Sequence, residues 1–152
     1  MDAPGAARSD DEHRRDAARD RFAKARVARL ATVDADGRPH LVPVVFALVD
    51  DAVWSAVDGK PKSTRALRRL DNIRVNPRVS LLVDHYSDDW TSLWWVRLDG
   101  DARIVGREEA EAAAALAALT AKYPQYQSDP PAGPMVRVDI TRFASWSHAP
   151  AT

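Results

Sequence analysis

A basic loop in the middle of the chain has the residue types that bind an anion. Residues 58–64 read DGKPKST, and a helical pattern follows them directly. Because glycine frees the backbone and proline stiffens it, amide N–H groups and the positive end of the helix dipole can face a phosphate there. Lys60 and Lys62 would add point charges, and Ser63 or Thr64 a hydroxyl donor. The loop therefore predicts a phosphate site, although a run of charges on a turn also occurs as plain solvated surface.

The charge distribution around this loop favours an anionic ligand. The chain as a whole is neutral, with 22 basic and 22 acidic residues, but from Lys60 to Arg78 seven cations stand against Asp71 alone. Such a stretch produces a locally positive field. Arginines on one short helix would also suit a nucleic-acid backbone, but the neutrality of the whole chain argues against that partner. We therefore expect a small-molecule anion and no nucleic acid.

A group of aromatic residues forms a second candidate site. Trp90, Trp94 and Trp95 lie close together in the sequence, and Trp54 and Trp146 could join them from other strands. Neighbouring residues of a strand point to opposite faces, so Trp94 and Trp95 cannot both enter one core. A subunit interface or a pocket for a flat ligand would use the one left outside, and ordinary core packing is the alternative.

His85 ends a strand beside this aromatic group and is the tentative catalytic residue, as a proton source or a substrate contact. The sequence lacks the residues or motifs for cysteine chemistry, a metal site or a serine hydrolase. The chain has no cysteine, which excludes disulfides, thiolate metal sites and a cysteine nucleophile. The histidines are scattered with no HExxH pattern, and no GxSxG pattern occurs, so we expect no metal site and no serine hydrolase.

The sequence also bears on where the protein works. No apolar run reaches the ~20 residues of a membrane span, and residues 1–29 are too charged for the apolar centre of a secretory signal. We expect a cytoplasmic protein with no membrane partner.

The chain reads as one domain over residues 9–152, after a disordered segment at residues 1–8. Ser9 and Glu12 form a capping-box pattern that opens a helix running towards Lys24 or Arg26. A short helix follows Ser63 or Thr64 and ends near Asn76, before a proline. An alanine-rich helix opens at Glu108 and Glu109 and ends before Pro124.

Six strands are predicted from β-branched residues, alternation and turn signals. The first three have short turns between them and predict a meander, and Gly100 marks a bulge. Closure removes the edges of such a sheet, so we predict a mainly β (α+β) fold, a six-stranded antiparallel barrel with peripheral helices. The strands are Val27–Val33, Pro39–Val49, Ala52–Val57, Val79–Asp84, Leu93–Val105 and Met135–Ile140, with Ser145–His148 continuing or closing the last.

Two segments resemble a known family. ARLATVDADGRPHLVPVVFAL, residues 28–48, and VDGKPKSTRALRRLDNIRVNPRVSLLVDHY, residues 57–86, are similar to the pyridoxamine-phosphate-oxidase-like (FMN-binding) split barrel, in its deazaflavin-dependent actinobacterial branch. The likeness covers about Arg26 to Ile140. Its most specific positions are Ala31, Thr32, Gly37, Pro39 and Pro43 in a hairpin, and Lys60, Lys62, Leu67, Asn76 and Pro77 in the basic segment.

The resemblance implies a six-stranded split barrel that dimerises through its barrel faces and holds cofactors in two grooves between protomers. It implies coenzyme F-420, a deazaflavin with an anionic tail, and hydride transfer between that cofactor and an organic small molecule. Lys60 and Lys62 would hold the tail phosphate, beside Ser63 and Thr64. The ring would be lined by Leu30, Ala31, Thr32, Pro43, Val44 and Val45, and flanked by Ser55, Ala56 and Val57.

Two alternatives stay open within the same fold. An FMN enzyme would use the same loop, since FMN also ends in a phosphate. A haem-binding protein or bilin reductase would instead place a tetrapyrrole on the tryptophans of residues 90–95, with His85 as a possible ligand.

Overall fold

The computed structural model describes residues 5–57 and 64–148. Within them the chain forms four α-helices, one short 3-10 helix and seven β-strands. The helices are α1 (Gly5–Lys24), α2 (Thr64–Val75), α3 (Ala112–Lys122) and α4 (Gln125–Ser128), and the 3-10 helix is Trp90–Ser92. The strands are β1 (Ala28–Val33), β2 (Pro39–Val44), β3 (Ala47–Val49), β4 (Ala52–Ala56), β5 (Arg78–His85), β6 (Trp94–Val105) and β7 (Met135–Ser147).

The strands form one antiparallel sheet in the order β2-β1-β5-β6-β7-β4-β3. The two edge strands, β2 and β3, are consecutive in the chain and are separated only by Val45 and Phe46. Two residues cannot span a flat sheet of this width, so the sheet must curl until its edges approach each other. The hydrogen-bonded ladder stays open there, which makes the fold a split barrel with peripheral helices.

The predicted fold class is confirmed, with two corrections. The strand predicted over Pro39–Val49 is two strands, because Phe46 turns inward, is fully buried and packs on Phe22 of α1 with ring centroids 4.8 Å apart. The sheet therefore has seven strands instead of six. Both antiparallel pairings of the predicted meander are present, β1 with β2 and β3 with β4. The three strands are not neighbours in one meander, however, because β2 and β3 do not pair and β4 takes β7 as its other neighbour.

Several element boundaries also differ from the predictions. Helix α1 begins at Gly5, so Ser9 lies inside it and residues 5–8 are helical. Helix α3 begins at Ala112, since Glu109 uses its carboxylate in the preceding turn to accept the Gly106 N–H at 2.5 Å. The bulge at Gly100 is confirmed by a register shift between Asp99 and Gly100 in the β6–β7 ladder.

Two hydrophobic clusters hold these elements together. The main core fills the inner face of the curled sheet and includes Phe22 of α1 and Leu70 and Ile73 of α2. The second core lies between α3 and the outer side of β3 and β4, around Trp54 and Leu119. Each fully buried large side chain contributes roughly 1.5–3 kcal/mol. None of the helices in the described ranges combines the length and the apolarity needed to cross a bilayer.

The corner between β2 and β3 is fastened by the end of α3. The Tyr123 hydroxyl accepts the Phe46 N–H at 3.0 Å and lies within donating distance of Phe46 O and Arg26 O, at 2.9 and 3.0 Å. The Lys122 ammonium donates to Phe46 O at 3.0 Å and lies 3.8 Å from the centre of the Phe46 ring. Burial and the nearby Arg26 charge lower the pKa of Lys122 to about 8, and burial raises the pKa of Tyr123.

Candidate functional site

The loop predicted to bind phosphate falls in the gap of the described ranges. Lys60, Lys62 and Ser63 lie outside the described residues, and Thr64 is described only as the first residue of α2. The elements on both sides match the prediction, since β4 ends just before the loop and α2 begins just after it. Val57, the last residue before the gap, donates its N–H to Pro134 O at 3.0 Å.

Five of the residues predicted to line the cofactor ring point into the barrel. Leu30, Val44 and Val57 belong to the main core. Ser55 is buried with 7% of its surface exposed, and Thr32 with 1%. The Thr32 hydroxyl accepts a hydrogen bond from the Asn72 amide of α2 at 3.0 Å.

The remaining residues of that set lie elsewhere. Val45 and Ala56 belong to the second core under α3. Pro43 is exposed, and Ala31 lines a groove on the outside of the sheet. The structure therefore does not bring the nine residues onto one surface, because successive residues of a strand alternate between faces.

The outer groove is a depression of about 550 Å³ across β1, β5, β6 and β7. Ala31 and Val33 form an apolar wall. The Ser80 hydroxyl donates to the Asp99 carboxylate at 2.6 Å, and the Thr141 hydroxyl donates to Asp99 O at 3.1 Å. The groove is lined by Ala31, Val33, Arg78, Val79, Ser80, Asp99, Gly100, Asp101 and Thr141.

The outer sheet face continues on both sides of this groove. We use that name for the side of β2, β1, β5, β6 and β7 that faces away from the main core. Leu41 pairs with Ala31 across β2 and β1, and Trp95 pairs with Trp146 across β6 and β7. Leu41 and Trp146 are 67% and 41% exposed, so apolar surface lies open next to the groove.

A second depression, the end cleft, lies between the β1–β2 turn and α2 and has a volume of about 590 Å³. Sequence reasoning did not identify it. A signal was present, since Arg38 and His40 flank Pro39 directly after the turn glycine, and Arg68 belongs to the basic helix. The end cleft is lined by Asp34, Arg38, Pro39, His40, Arg68, Asp71 and Asn72.

His85 lies at the end of β5 and its ring stacks on Trp94, with centroids 6.4 Å apart and planes at 24°. The Arg21 guanidinium lies 5.2 Å from the centre of the same Trp94 ring. Tyr86 and Trp90 are 62% and 73% exposed in the following loop. This end of the sheet therefore presents aromatic surface to the outside.

The tryptophans do not form one cluster. Trp54 is buried in the second core, with the Arg137 guanidinium 5.5 Å from its ring centre. Trp94 packs against the main core, while Trp95 lies on the outer sheet face beside Trp146. The prediction that the Trp94 and Trp95 side chains point to opposite faces of the sheet is confirmed.

An open, curled antiparallel sheet with peripheral helices defines the split-barrel class of proteins. Within this class, residues 15–147 match the family model described as pyridoxamine 5'-phosphate oxidase, and the chain belongs to that family. The family recognised from the residues is confirmed, while its deazaflavin branch stays a prediction. No curated protein matches the chain.

Solved structures from three organisms are similar to this chain. The conserved hypothetical protein Rv2991 from Mycobacterium tuberculosis is 30% identical, with 84% of this chain and 83% of that chain covered and a TM-score of 0.63. HutZ, the haem storage protein from Vibrio cholerae, is 19% identical, with 80% and 85% covered and a TM-score of 0.63. A FAD-binding protein from Mesorhizobium loti is 21% identical, with 81% and 86% covered and a TM-score of 0.61. The last two show a shared fold.

Proposed function

We propose that this protein is a flavin-type oxidoreductase that binds coenzyme F-420 and passes hydride between it and an organic small molecule. The observation that carries the proposal is membership of the pyridoxamine 5'-phosphate oxidase family over residues 15–147. The FAD-binding protein of the same fold supports a flavin-type ligand. The cofactor would perform the redox chemistry, and the protein would bind and orient it.

The outer groove has the size and the chemistry for a flat heteroaromatic ring. Its volume of about 550 Å³ lies within the range of small-molecule sites. Ala31 and Val33 offer an apolar wall, and the polar side carries hydroxyl, carboxylate and guanidinium groups. A deazaflavin or flavin ring has one apolar edge and one edge of alternating donors and acceptors. Ala31 is the predicted ring-lining residue that reaches this groove.

The polar side of the groove is held in place by its own contacts. The Ser80 hydroxyl at 2.6 Å and the Arg97 Nε at 3.3 Å both approach Asp99 Oδ1. Arg78 lies at the rim with an exposed guanidinium. In the proposed complex, Asp99 would accept a ring N–H while Arg78 would face a ring carbonyl or the anionic tail.

A second copy of the chain would complete this site. The outer groove lies in the same sheet face as the exposed Leu41 and Trp146. Apolar side chains exposed next to a ligand groove are typical of an interface that also closes the site. We therefore propose that the protein works as a homodimer whose partner covers the ring and excludes water.

Binding spectra test the cofactor directly. The purified protein would be titrated with coenzyme F-420, FMN, FAD and haem, with fluorescence quenching for the first three and the Soret band for haem. We expect the tightest binding for F-420. If only FMN or FAD bound tightly, the cofactor would be a flavin and not a deazaflavin. If only haem bound, the proposed oxidoreductase function would be wrong.

A double substitution tests the phosphate loop. Lys60→Ala with Lys62→Ala should weaken F-420 binding by about 1.5–3 kcal/mol for each charged hydrogen bond lost, with little change in stability. Lys24→Ala is the matched control, because Lys24 is exposed on α1 and pairs with Asp20 at 2.8 Å. Equal F-420 affinity in the double variant and the wild type would rule out the loop as the phosphate site.

A haem-binding function is the second candidate, and the stacked pair of His85 and Trp94 favours it. The exposed Tyr86 and Trp90 beside this pair offer further aromatic surface for a tetrapyrrole. His85→Ala should then abolish the Soret shift, whereas His13→Ala on α1 should keep it. Identical haem spectra for both variants would exclude His85 as a ligand.

A further inference from the structure

The end cleft holds two arginine side chains that the described part of the chain does not pair. Arg38 comes from the β1–β2 turn and Arg68 from α2, and both are exposed. Neither guanidinium makes a hydrogen bond or an ion pair with a described residue. Two guanidinium groups that approach one cleft from different elements repel each other, and the Asp34 carboxylate of the same cleft offsets part of that repulsion.

The acidic residues of the cleft are already engaged. Asp34 Oδ1 accepts the backbone N–H groups of Asp36 and Arg38, both at 2.9 Å. These bonds, together with the charges of Arg38 and Arg68, hold the pKa of Asp34 below its usual value. Asp71 pairs with Arg74 at 3.1 Å along the same helix. The cleft therefore presents two arginines beside two aspartates, of which Asp34 is bonded to its own turn and Asp71 is paired with Arg74.

His40, one of the residues that line the cleft, carries a polar atom without a partner. His40 Nδ1 is buried and has no hydrogen bond within the described residues. A buried imidazole nitrogen without a partner costs free energy, which a bound ligand would recover. Next to it, Asn72 is 4% exposed and donates to the Thr32 hydroxyl at 3.0 Å, so the back of the cleft is fixed.

We propose that the end cleft is an oxyanion-binding site, which takes a carboxylate or phosphate group between Arg38 and Arg68 with His40 Nδ1–H as a third donor. Arginine suits this ligand because its planar fork matches the two oxygens of a carboxylate or phosphate. The oxyanion can come from two sources. One is a separate small acid, and the other is the anionic tail of the cofactor, a source that rests on the proposed function. Arg68 lies one helical turn from Thr64, where the predicted phosphate loop meets α2.

Inorganic phosphate and glutamate are the probes for the site itself. Calorimetry at low ionic strength, with the His40 ring followed by NMR, measures their binding to the full-length protein without any cofactor. Arg38→Gln with Arg68→Gln should weaken binding of both probes by tenfold to a hundredfold for each arginine. Arg38→Lys with Arg68→Lys keeps the charge but loses the fork, and should fall between the wild type and the glutamine variant.

Arg107→Gln is the matched control, because it removes the same charge from an exposed turn after β6. It should bind phosphate and glutamate like the wild type. If the wild type and the Arg38→Gln, Arg68→Gln variant bound the probes equally, or if the His40 signals did not move on saturation, the end cleft would not be an oxyanion site.

Cofactor titrations with the same variants identify the source. If the oxyanion belongs to the cofactor tail, the glutamine variant should lose affinity for F-420 but not for the same deazaflavin without its phosphate and glutamyl groups. If a separate acid binds, the glutamine variant should keep its F-420 affinity and lose only the probes. Failure of F-420 to bind any variant would count against the proposed function alone, since phosphate and glutamate report on the cleft independently.

Discussion

The Tyr123 hydroxyl joins the end of α3 to backbone groups that the sheet ladder does not pair. It accepts the Phe46 N–H at 3.0 Å and lies 2.9 Å from Phe46 O. Tyr123→Phe leaves the Phe46 N–H without a partner, while Phe46 O keeps its hydrogen bond from Lys122. The free energy of unfolding should therefore fall by roughly 1–3 kcal/mol. Urea unfolding measures the change. Tyr86→Phe is the control, since that ring is 62% exposed, and an equal loss in both variants would contradict the role of the Tyr123 hydroxyl.

Lys122 should make stability depend on pH. Burial, with the nearby Arg26 charge, lowers its pKa from 10.5 to about 8 in the folded protein. Between pH 8 and 10.5 the unfolded chain holds a proton that the folded chain has released, so the free energy of unfolding rises with pH. Because the group is only half-buried, we expect a rise on the order of 1 kcal/mol.

Urea unfolding at pH 7.5 and 9.5 tests the Lys122 effect. The rise should be present in the wild type and in Lys24→Met, and it should be absent in Lys122→Met. Tyr123 acts in the opposite direction above pH 10, because its own pKa is raised, so the measurement stays below that value. If the free energy of unfolding rose equally with pH in all three proteins, Lys122 would not be the source of the pH dependence.

Among the elements, β6 depends on its bulge at Gly100. A Cβ at this position would lie 2.6 Å from Val138 Cγ1 and would overlap the Asp139 carbonyl oxygen, which is backbone and cannot move aside. Gly100→Ala should therefore lower the free energy of unfolding by roughly 1–3 kcal/mol. Gly106→Ala is a matched control, since its added methyl group meets only the mobile end of the Glu108 side chain. Thermal unfolding measures the stability of both variants. If Gly100→Ala were as stable as Gly106→Ala, the predicted steric conflict at Gly100 would be excluded.

The elements and the two local strand pairs, β1 with β2 and β3 with β4, were predictable from the sequence, but the long-range strand partners were not. Turn residues and alternation located the strands to within a few residues, and Gly100 marked the bulge. The pairing of β4 with β7 joins Ala52–Ala56 to residues about 80 positions later, and local patterns do not encode such contacts. Phe46 illustrates the limit, because an apolar residue in a β-branched run gives no local sign that it turns the chain into the core.

The candidate site was predictable only where chemistry is local. Glycine, proline and two lysines in one loop describe an anion site without any knowledge of the fold. The ring-lining set came from a linear motif, and alternation distributes Leu30, Ala31 and Thr32 over two faces of β1. The end cleft needs Arg38 and Arg68, which lie 30 residues apart in the sequence, and only the fold brings them together.

At the scale of the whole molecule, the outer sheet face is the surface through which two copies of the chain would form a dimer. α3 covers the outer side of β3 and β4, whereas Leu41, Trp95 and Trp146 lie on strands whose outer side carries the groove instead. A chain that exposes such side chains beside a ligand groove commonly buries them against a second copy. Ion pairs on the same face, such as Arg29 with Asp84 at 3.6 Å, would fix the orientation of the partner.

The proposed homodimer is tested by placing a charge in the outer sheet face and measuring the molecular mass by light scattering. The wild type should have the mass of two chains, and Leu41→Glu should shift it towards one, because a buried unpaired carboxylate costs more than the contact supplies. Val75→Glu is the matched control. Val75 is 62% exposed, against 67% for Leu41, and lies on α2, which packs on the main core instead of the outer sheet face. The Val75→Glu protein should stay dimeric.

The Leu41→Glu variant also tests whether the partner completes the outer groove. If the groove works only when the partner covers it, Leu41→Glu should also lose cofactor affinity in proportion to its monomer fraction. Raising the protein concentration should restore both the dimer and the cofactor affinity. A monomeric wild type, or a Leu41→Glu protein that dimerises as tightly as Val75→Glu, would show that the outer sheet face is not the interface.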